Sequence, residues 1–184
     1  DSIYVVFADS YNADGNWRWS SQDVRCATND EAQWYPRVVV PGRRHGVGDS
    51  VAVIVWQDMR DTPTDMIFDI YGQVIEKHTG NIVGTVTGNA VCTAEGTQRF
   101  PELSLYEEAE DPGLGIPYLS RVICVYEDLR DYQSRGVDVY CTVMDGRNMD
   151  IVTPTGTDGE EVCTMNDDQT QARVDNFPDD EHSY

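Results

Sequence analysis

Residues 51–75 read VAVIVWQDMRDTPTDMIFDIYGQVI. An apolar run climbs into Trp56-Gln57-Asp58-Met59-Arg60, a polar loop follows, and a second β-rich run starts at Asp69-Ile70-Tyr71-Gly72. Val, Ile and Tyr at this density predict strands. The unbroken apolar text from Val51 to Trp56 predicts a strand buried on both faces. Nearly the same text returns over residues 122–144, VICVYEDLRDYQSRGVDVYCTVM, and a worn copy stands over residues 3–28. The chain therefore reads as a repeat.

Lining up the copies puts Phe7, Trp56 and Tyr126 in one column and Asp9, Asp58 and Asp128 in the next. Arg60 and Arg130 match, with Tyr11 in the first copy; Asp23, Asp69 and Asp138 form a further column, and Cys26, Cys92 and Cys163 another. The spacing is 49 residues from Asp9 to Asp58 and 70 from Asp58 to Asp128. Asp69 to Cys92 spans 23 residues and Asp138 to Cys163 spans 25, but Asp23 to Cys26 only 3, so the first unit lacks either its third or its fourth strand. Ahead of the apolar strands stand Gln33-Trp34-Tyr35-Pro36 and Gln98-Arg99-Phe100-Pro101, proline being tolerated where a strand begins. A third such signal is expected at Gln171-Ala172-Arg173-Val174, with valine in place of the proline.

Each full unit thus reads as four strands: the Pro-led strand, the one ending in aromatic-x-Asp, the Asp-led one, and a weak strand before Cys. No segment carries a helical stripe of apolar residues at i, i+3, i+4 and i+7. The expected fold is one all-β domain over residues 1–184, made of propeller-like four-stranded antiparallel units at about 1–32 (partial), 33–97 and 98–168, with a terminal strand and tail at 169–184. Units this small cannot each bury both faces alone and must pack on one another.

The pattern Gln-x-x-Pro, apolar strand, Trp-x-Asp-x-Arg, loop, Asp-Ile-Tyr-Gly-Gln-Val resembles the β-propeller repeats of secreted bacterial and archaeal proteins, with a likeness to the WD40-like blades of TolB. It covers residues 33–144 well and the flanks poorly. The resemblance implies a blade architecture and leaves activity open, because propellers host many functions. Three units are fewer than the four to eight blades typical of a propeller. The first strand missing at the start and offered at the end leaves three closures open: within one molecule, with a partner completing a ring, or head to tail in a fibre. A fragment of a longer propeller is the simple alternative.

The 184 residues suit one domain or a few repeated units. Lys+Arg number 13 against 33 acids, a net charge of -20, and Lys77 is the only lysine. Such a chain is a poor ligand for nucleic acid or anionic membrane, since phosphate binding needs clustered cations. The Asp-rich surface suits high salt, divalent cations or a cell exterior, where self-repulsion is screened. No run of 18 apolar residues occurs, so no membrane span is expected. The opening on Asp1 reads as a mature, exported form, and an extracellular or cell-surface location is expected.

Asp58, Asp69, Asp128 and Asp138 are the candidate metal ligands, two per unit near strand ends, with Ca²⁺ as the candidate cofactor. The competing role is structural, each carboxylate accepting turn amides and pairing with Arg60 or Arg130. Trp56, Arg60, Tyr126 and Arg130 are read as the structural motif of the unit. Asn12-Ala13-Asp14-Gly15-Asn16 has a faint calcium-loop spacing, spoiled by Trp17 where that loop wants glycine. Asn166-Asp167-Asp168 and Asp179-Asp180-Glu181 are acidic clusters of the solvated kind. Cys124 and Cys141 lie on adjacent strands, and one register sets them opposite each other. Joined, they close a loop of 16 residues and add about 3 kcal/mol. Trp56 is expected in the core, with Trp17, Trp19 and Trp34 as loop residues free to stack on sugars.

No hydrolase elbow, phosphate loop or zinc-protease motif occurs. The leading expectation is an extracellular structural or assembly protein, not an enzyme, that self-associates through its terminal strands. A carbohydrate- or calcium-binding module is the second reading, and a glycoside hydrolase using two of the carboxylates the third.

Overall fold

The computed structural model describes residues 5–19, 23–41, 51–61, 64, 66–108 and 119–175. The Gly- and Arg-rich loop beyond Pro41, the middle of the acidic loop at 109–118 and the Asp179-Asp180-Glu181 cluster lie outside the described residues. The chain is all-β, with three antiparallel sheets and, among the described residues, no closed barrel or propeller ring. The first sheet pairs β1 (Phe7–Ala8) with β2 (Val24–Arg25). The second is built from β3 (Gln33–Val39), β4 (Val51–Asp58), β5 (Asp69–Glu76), β6 (Ile82–Val83) and β7 (Asn89–Cys92). The third has the order β11-β10-β9-β8, where β8 is Gln98–Glu108, β9 Leu119–Asp128, β10 Asp138–Asp145 and β11 Glu160–Cys163. The acidic, Pro- and Gly-bearing text over 106–120 reads as a loop, but β8 and β9 extend into it from both ends. Helix is confined to Tyr132–Arg135 and a 3-10 turn at Gly156–Asp158.

The strand order in the two large sheets follows the predicted four-strand unit, with the fourth strand broken. β6 pairs Val74 and Ile75 of β5, and β7 pairs Ile70 to Gly72. The third sheet has a Met144–Ile151 bridge and then β11 on β10.

β4 is buried on both faces, as its text predicts. Val51, Val53 and Val55 pack with Val122, Cys124 and Tyr126 of β9 in one core between the second and third sheets. Ile54, Trp56 and Ile75 pack with Val6, Cys26 and Trp19 in another, between the second sheet and the first unit. Apolar residues at adjacent positions of a strand point to opposite faces, so the second sheet is the middle layer of three. Trp19, expected in a loop, is core, and its indole N–H donates to Lys77 O at 3.0 Å.

The first unit resolves the question of its missing strand. Phe7↔Arg25 and Ala8↔Val24 extend to Asp9 opposite Asp23 the register that puts Asp58 opposite Asp69, so residues 23–25 begin as a third strand. They leave as a fourth: Thr28 N donates to Val86 O at 3.1 Å, as Thr93 N does to Thr157 O at 3.0 Å. One segment therefore serves for both strands. This shifts the cysteine column, for Ala27, not Cys26, stands where Cys92 stands, and Cys26 matches Val91.

Two glycines complete the unit where the text gave no warning. Gly88 (φ +83°) lies under the Trp56 indole and Gly159 (φ +71°) under the Tyr126 ring, and a Cβ at either position meets the aromatic side chain. Their positive φ is one that glycine adopts freely.

Candidate functional site

The predicted carboxylates gather as two separate pairs, one at the end of each central hairpin. Asp58 sits opposite Asp69, and Asp128 opposite Asp138. In each pair the first carboxylate is fully engaged. Asp58 accepts from Trp56 Nε1 at 2.8 Å, Arg60 N at 2.9 Å and Arg60 Nη2 at 2.7 Å, with Asn29 Nδ2 at 3.2 Å. Asp128 accepts from Arg130 N at 2.8 Å, Arg130 Nε at 3.0 Å and Arg130 Nη2 at 2.6 Å. The arginines then fold over the tyrosines of the next strand, Arg60 3.6 Å from the Tyr71 ring centre and Arg130 4.0 Å from that of Tyr140. Each also ties the turn ahead of the last strand, Arg60 Nη1 to Thr87 O at 2.6 Å and Arg130 Nη2 to Asp158 O at 2.7 Å.

The second carboxylate of each pair is solved differently in the two units. Asp69 hydrogen-bonds the Asp61 carboxyl, and burial, that bond and the nearby charge of Asp61 push it up to about 7. Asp61 in turn accepts from Tyr71 OH at 2.8 Å. Asp138, 1% exposed, has no hydrogen-bond partner on either oxygen. Burial raises its pKa against the pull of Arg135, whose Nε stands 3.6 Å away. Arg135 also bonds Asp131 at 2.5 Å, so in the third sheet a guanidinium stands where the second has a carboxyl–carboxyl hydrogen bond. Asp61 and Asp131 were missed as a column, although both follow the motif arginine directly, in DMRD and DLRD. Among the described residues no group of three or more His, Cys, Asp or Glu is arranged to hold a metal ion.

A second recurring arrangement joins one unit to the next. Gln98 N donates to Phe68 O at 2.7 Å, and Gln169 N to Val137 O at 2.7 Å. Two residues on, Phe100 N donates to Gln57 Oε1 at 2.8 Å, and Gln171 N to Glu127 Oε1 at 2.8 Å. Tyr35, Phe100 and Gln171 share a positive φ of 52°, 52° and 60°, and the first two sit at β-bulges. The third signal is therefore Gln169-Thr170-Gln171-Ala172, not the expected Gln171 to Val174, and alanine replaces the proline. Sequence reading slipped because Gln171 offered a second glutamine two residues later. Two residues further, Arg37, Glu102 and Arg173 form a ladder across successive lead strands, with Glu102 2.9 Å from Arg37 and 2.6 Å from Arg173. Arg37 and Arg173 together hold the Glu102 carboxyl below its usual range, against burial.

The register overturns the expected disulfide. Cys124 lies opposite Thr142 and Cys141 opposite Val125, one step from alignment, so the two side chains point to opposite faces. All five cysteines are free thiols. Burial pushes Cys26 up to about 12 and Cys92 up to about 11, and raises Cys124 well above its ordinary value. Burial raises Cys141 as well, so these four lack the lowered pKa of a reactive cysteine.

The calcium-like text at 12–16 forms a tight turn in which Asn12 Oδ1 accepts from Asp14 N at 3.0 Å and Asn16 N at 2.9 Å. It presents Tyr11 and Trp17, both exposed, with ring centres 4.5 Å apart. Comparison with family models, curated proteins and solved structures finds no match to this chain.

Proposed function

We propose that the chain is an extracellular structural module, an array of propeller-like blades that takes part in a larger assembly and carries out no catalysis. The observation that carries this reading is the clasp repeated at successive junctions. The same amide, carbonyl and charged positions join the second unit to the third and the third to Gln169–Arg173. The polar groups of these junctions stack one unit against the next.

The carboxylates support the same reading. Asp58 and Asp128 spend their lone pairs on arginine, amide and indole donors. Asp61 and Asp69 touch, whereas the acid and base of a glycosidase stand about 5 to 9.5 Å apart. The net charge of -20 and the single lysine fit a surface held in salt outside the cell.

The test pairs stability with turnover. Asp128→Asn leaves Arg130 without its carboxylate in a buried site and lowers unfolding free energy by about 3 to 5 kcal/mol in urea, while a panel of aryl glycosides is not hydrolysed by the wild-type chain. A catalytic role is established instead if glycosides turn over and the substitution abolishes turnover with the unfolding midpoint unchanged. The exposed Tyr11 and Trp17 pair favours carbohydrate as a second ligand class, since sugars stack on such rings; a glycan array with Trp17→Ala as control tests it.

A further inference from the structure

Among the described residues the first unit has an open sheet edge, and the two full units show what fits there. β1 pairs with β2 on one side, and among the described residues no strand pairs with the other. Val6 gives its N–H to Gln33 Oε1 and accepts from Cys26 N, so alternation turns the backbone groups of Phe7 toward the open side. In both full units that side of the second strand is taken by a lead strand, β3 on β4 and β8 on β9. Here it borders a groove of about 490 Å³, floored by Val6, Ala8, Ile54 and Ile75 and walled by Arg37, Val38 and Val40. Val38 is 61% and Val40 46% exposed.

The two full units show how the occupant's side chains are chosen, counting from the glutamine that faces Asp58 or Asp128. The second residue on is aromatic and packs edge-on against the lead strand of the next unit, as Tyr35 and Phe100 do at 4.9 Å. The fourth makes the charge ladder, as Arg37 and Glu102 do. The sixth turns inward and is apolar or small, Val39 packing on the core and Ser104 being buried. At the open edge, the groups awaiting these three positions are the exposed ring of Tyr35, the guanidinium of Arg37, and Val38 with Val40. Alternation along the ladder calls for a carboxylate beside Arg37, because Glu102 on its other side is already followed by Arg173.

We propose that the open edge of β1 docks an extended strand of a partner that bears an aromatic residue, a carboxylate and a small or apolar residue at alternate positions. The strand runs antiparallel to β1, with its glutamine opposite Asp9 and its carboxylate residue opposite Val6, the register of β3 on β4 and β8 on β9. The tail of a second copy is a poor occupant: it brings Gln171, Arg173 and Asp175 to those three places, a polar group to the ring, a cation to Arg37 and an acid to the valines. This rests on the reading of the chain as an assembling blade array, and it names the partner's chemistry.

The probe is a labelled peptide of residues 98–105, QRFPELSL, added to the full chain. Anisotropy is expected to show saturable binding that weakens as NaCl is raised, with slowed amide exchange at residues 5–9. A peptide with Glu102→Arg is expected to bind at least fivefold more weakly at low salt, and the tail peptide QTQARVDN to fail as a competitor. Arg37→Glu in the protein, checked for folding by circular dichroism, reverses the preference between the first two peptides. No binding of QRFPELSL overturns the docking site, and equal binding of the Glu102 and Arg peptides, or competition by the tail peptide, overturns the charge and side-chain rule. Neither result touches the Asp128→Asn and glycoside outcomes, on which the structural reading stands or falls separately.

Discussion

The backbone amide of Gln171 donates to the side chain of Glu127 at 2.8 Å, across the boundary between the third unit and the strand that follows it. The same contact between Phe100 and Gln57 closes the boundary before it. Both acceptors come from the residue between the motif aromatic and its aspartate, a position that looks like filler in the sequence.

Removing that acceptor should loosen the junction. Gln57→Ala leaves the Phe100 amide without its partner at a bulge held in positive φ, and it is expected to cost about 1 to 3 kcal/mol in urea unfolding. Arg173→Ala, which breaks an exposed ion pair of the same junction, is expected to cost under about 1 kcal/mol. Similar costs for the two would show that the side-chain acceptor is not what closes the boundary.

Asp69 makes stability depend on pH in an unusual direction for an acidic chain. Its folded pKa of about 7 lies above the ordinary value of 3.8, so folding takes up a proton between the two. The contribution is fully present below about pH 4 and is lost as pH rises through 7. Asp69→Asn mimics the protonated form and is expected to flatten this part of the profile, raising the melting temperature at pH 8 more than at pH 5. An equal shift at both values would contradict the raised Asp69 pKa.

The thiols offer a prediction in which register decides the chemistry. Native alkylation is expected to label Cys141 and Cys163, which are partly exposed, before Cys26, Cys92 and Cys124, which are buried. Peptide mapping without reductant should find Cys124 and Cys141 unlinked, as their opposite faces require. A Cys124–Cys141 cross-linked peptide from the folded chain would show that the register has slipped by one residue.

Much of the architecture is legible in the text. Val51–Asp58 announces a doubly buried strand, and the copies of aromatic-x-Asp-x-Arg locate both central hairpins. What the text hid falls into three physical kinds. Spacing along the chain cannot distinguish two registers that differ by one step, and only one of them sets Cys124 opposite Cys141. A repeat that merges two strands into one, as at 23–29, defeats alignment by a single marker such as cysteine. Contacts made by backbone groups, such as the amide of Gln171 on Glu127, leave almost no preference for the residue that donates, so Gln171 stands where the other copies have Tyr35 and Phe100. Asp61 and Asp131 were the exception: their repetition was visible, and only their neighbours in space gave it meaning.

The recurring polar residues are proposed to bind the units into one cooperative array, and native-state amide exchange with Gln57→Ala, which removes the acceptor of the Phe100 amide, tests this most directly. The substitution lies in the second sheet, yet β4 and β9 share one core. Protection is predicted to fall by the same free energy in β4–β5 and in β9–β10. A loss confined to β4–β5, with β9–β10 exchanging as in the wild-type chain, would contradict it.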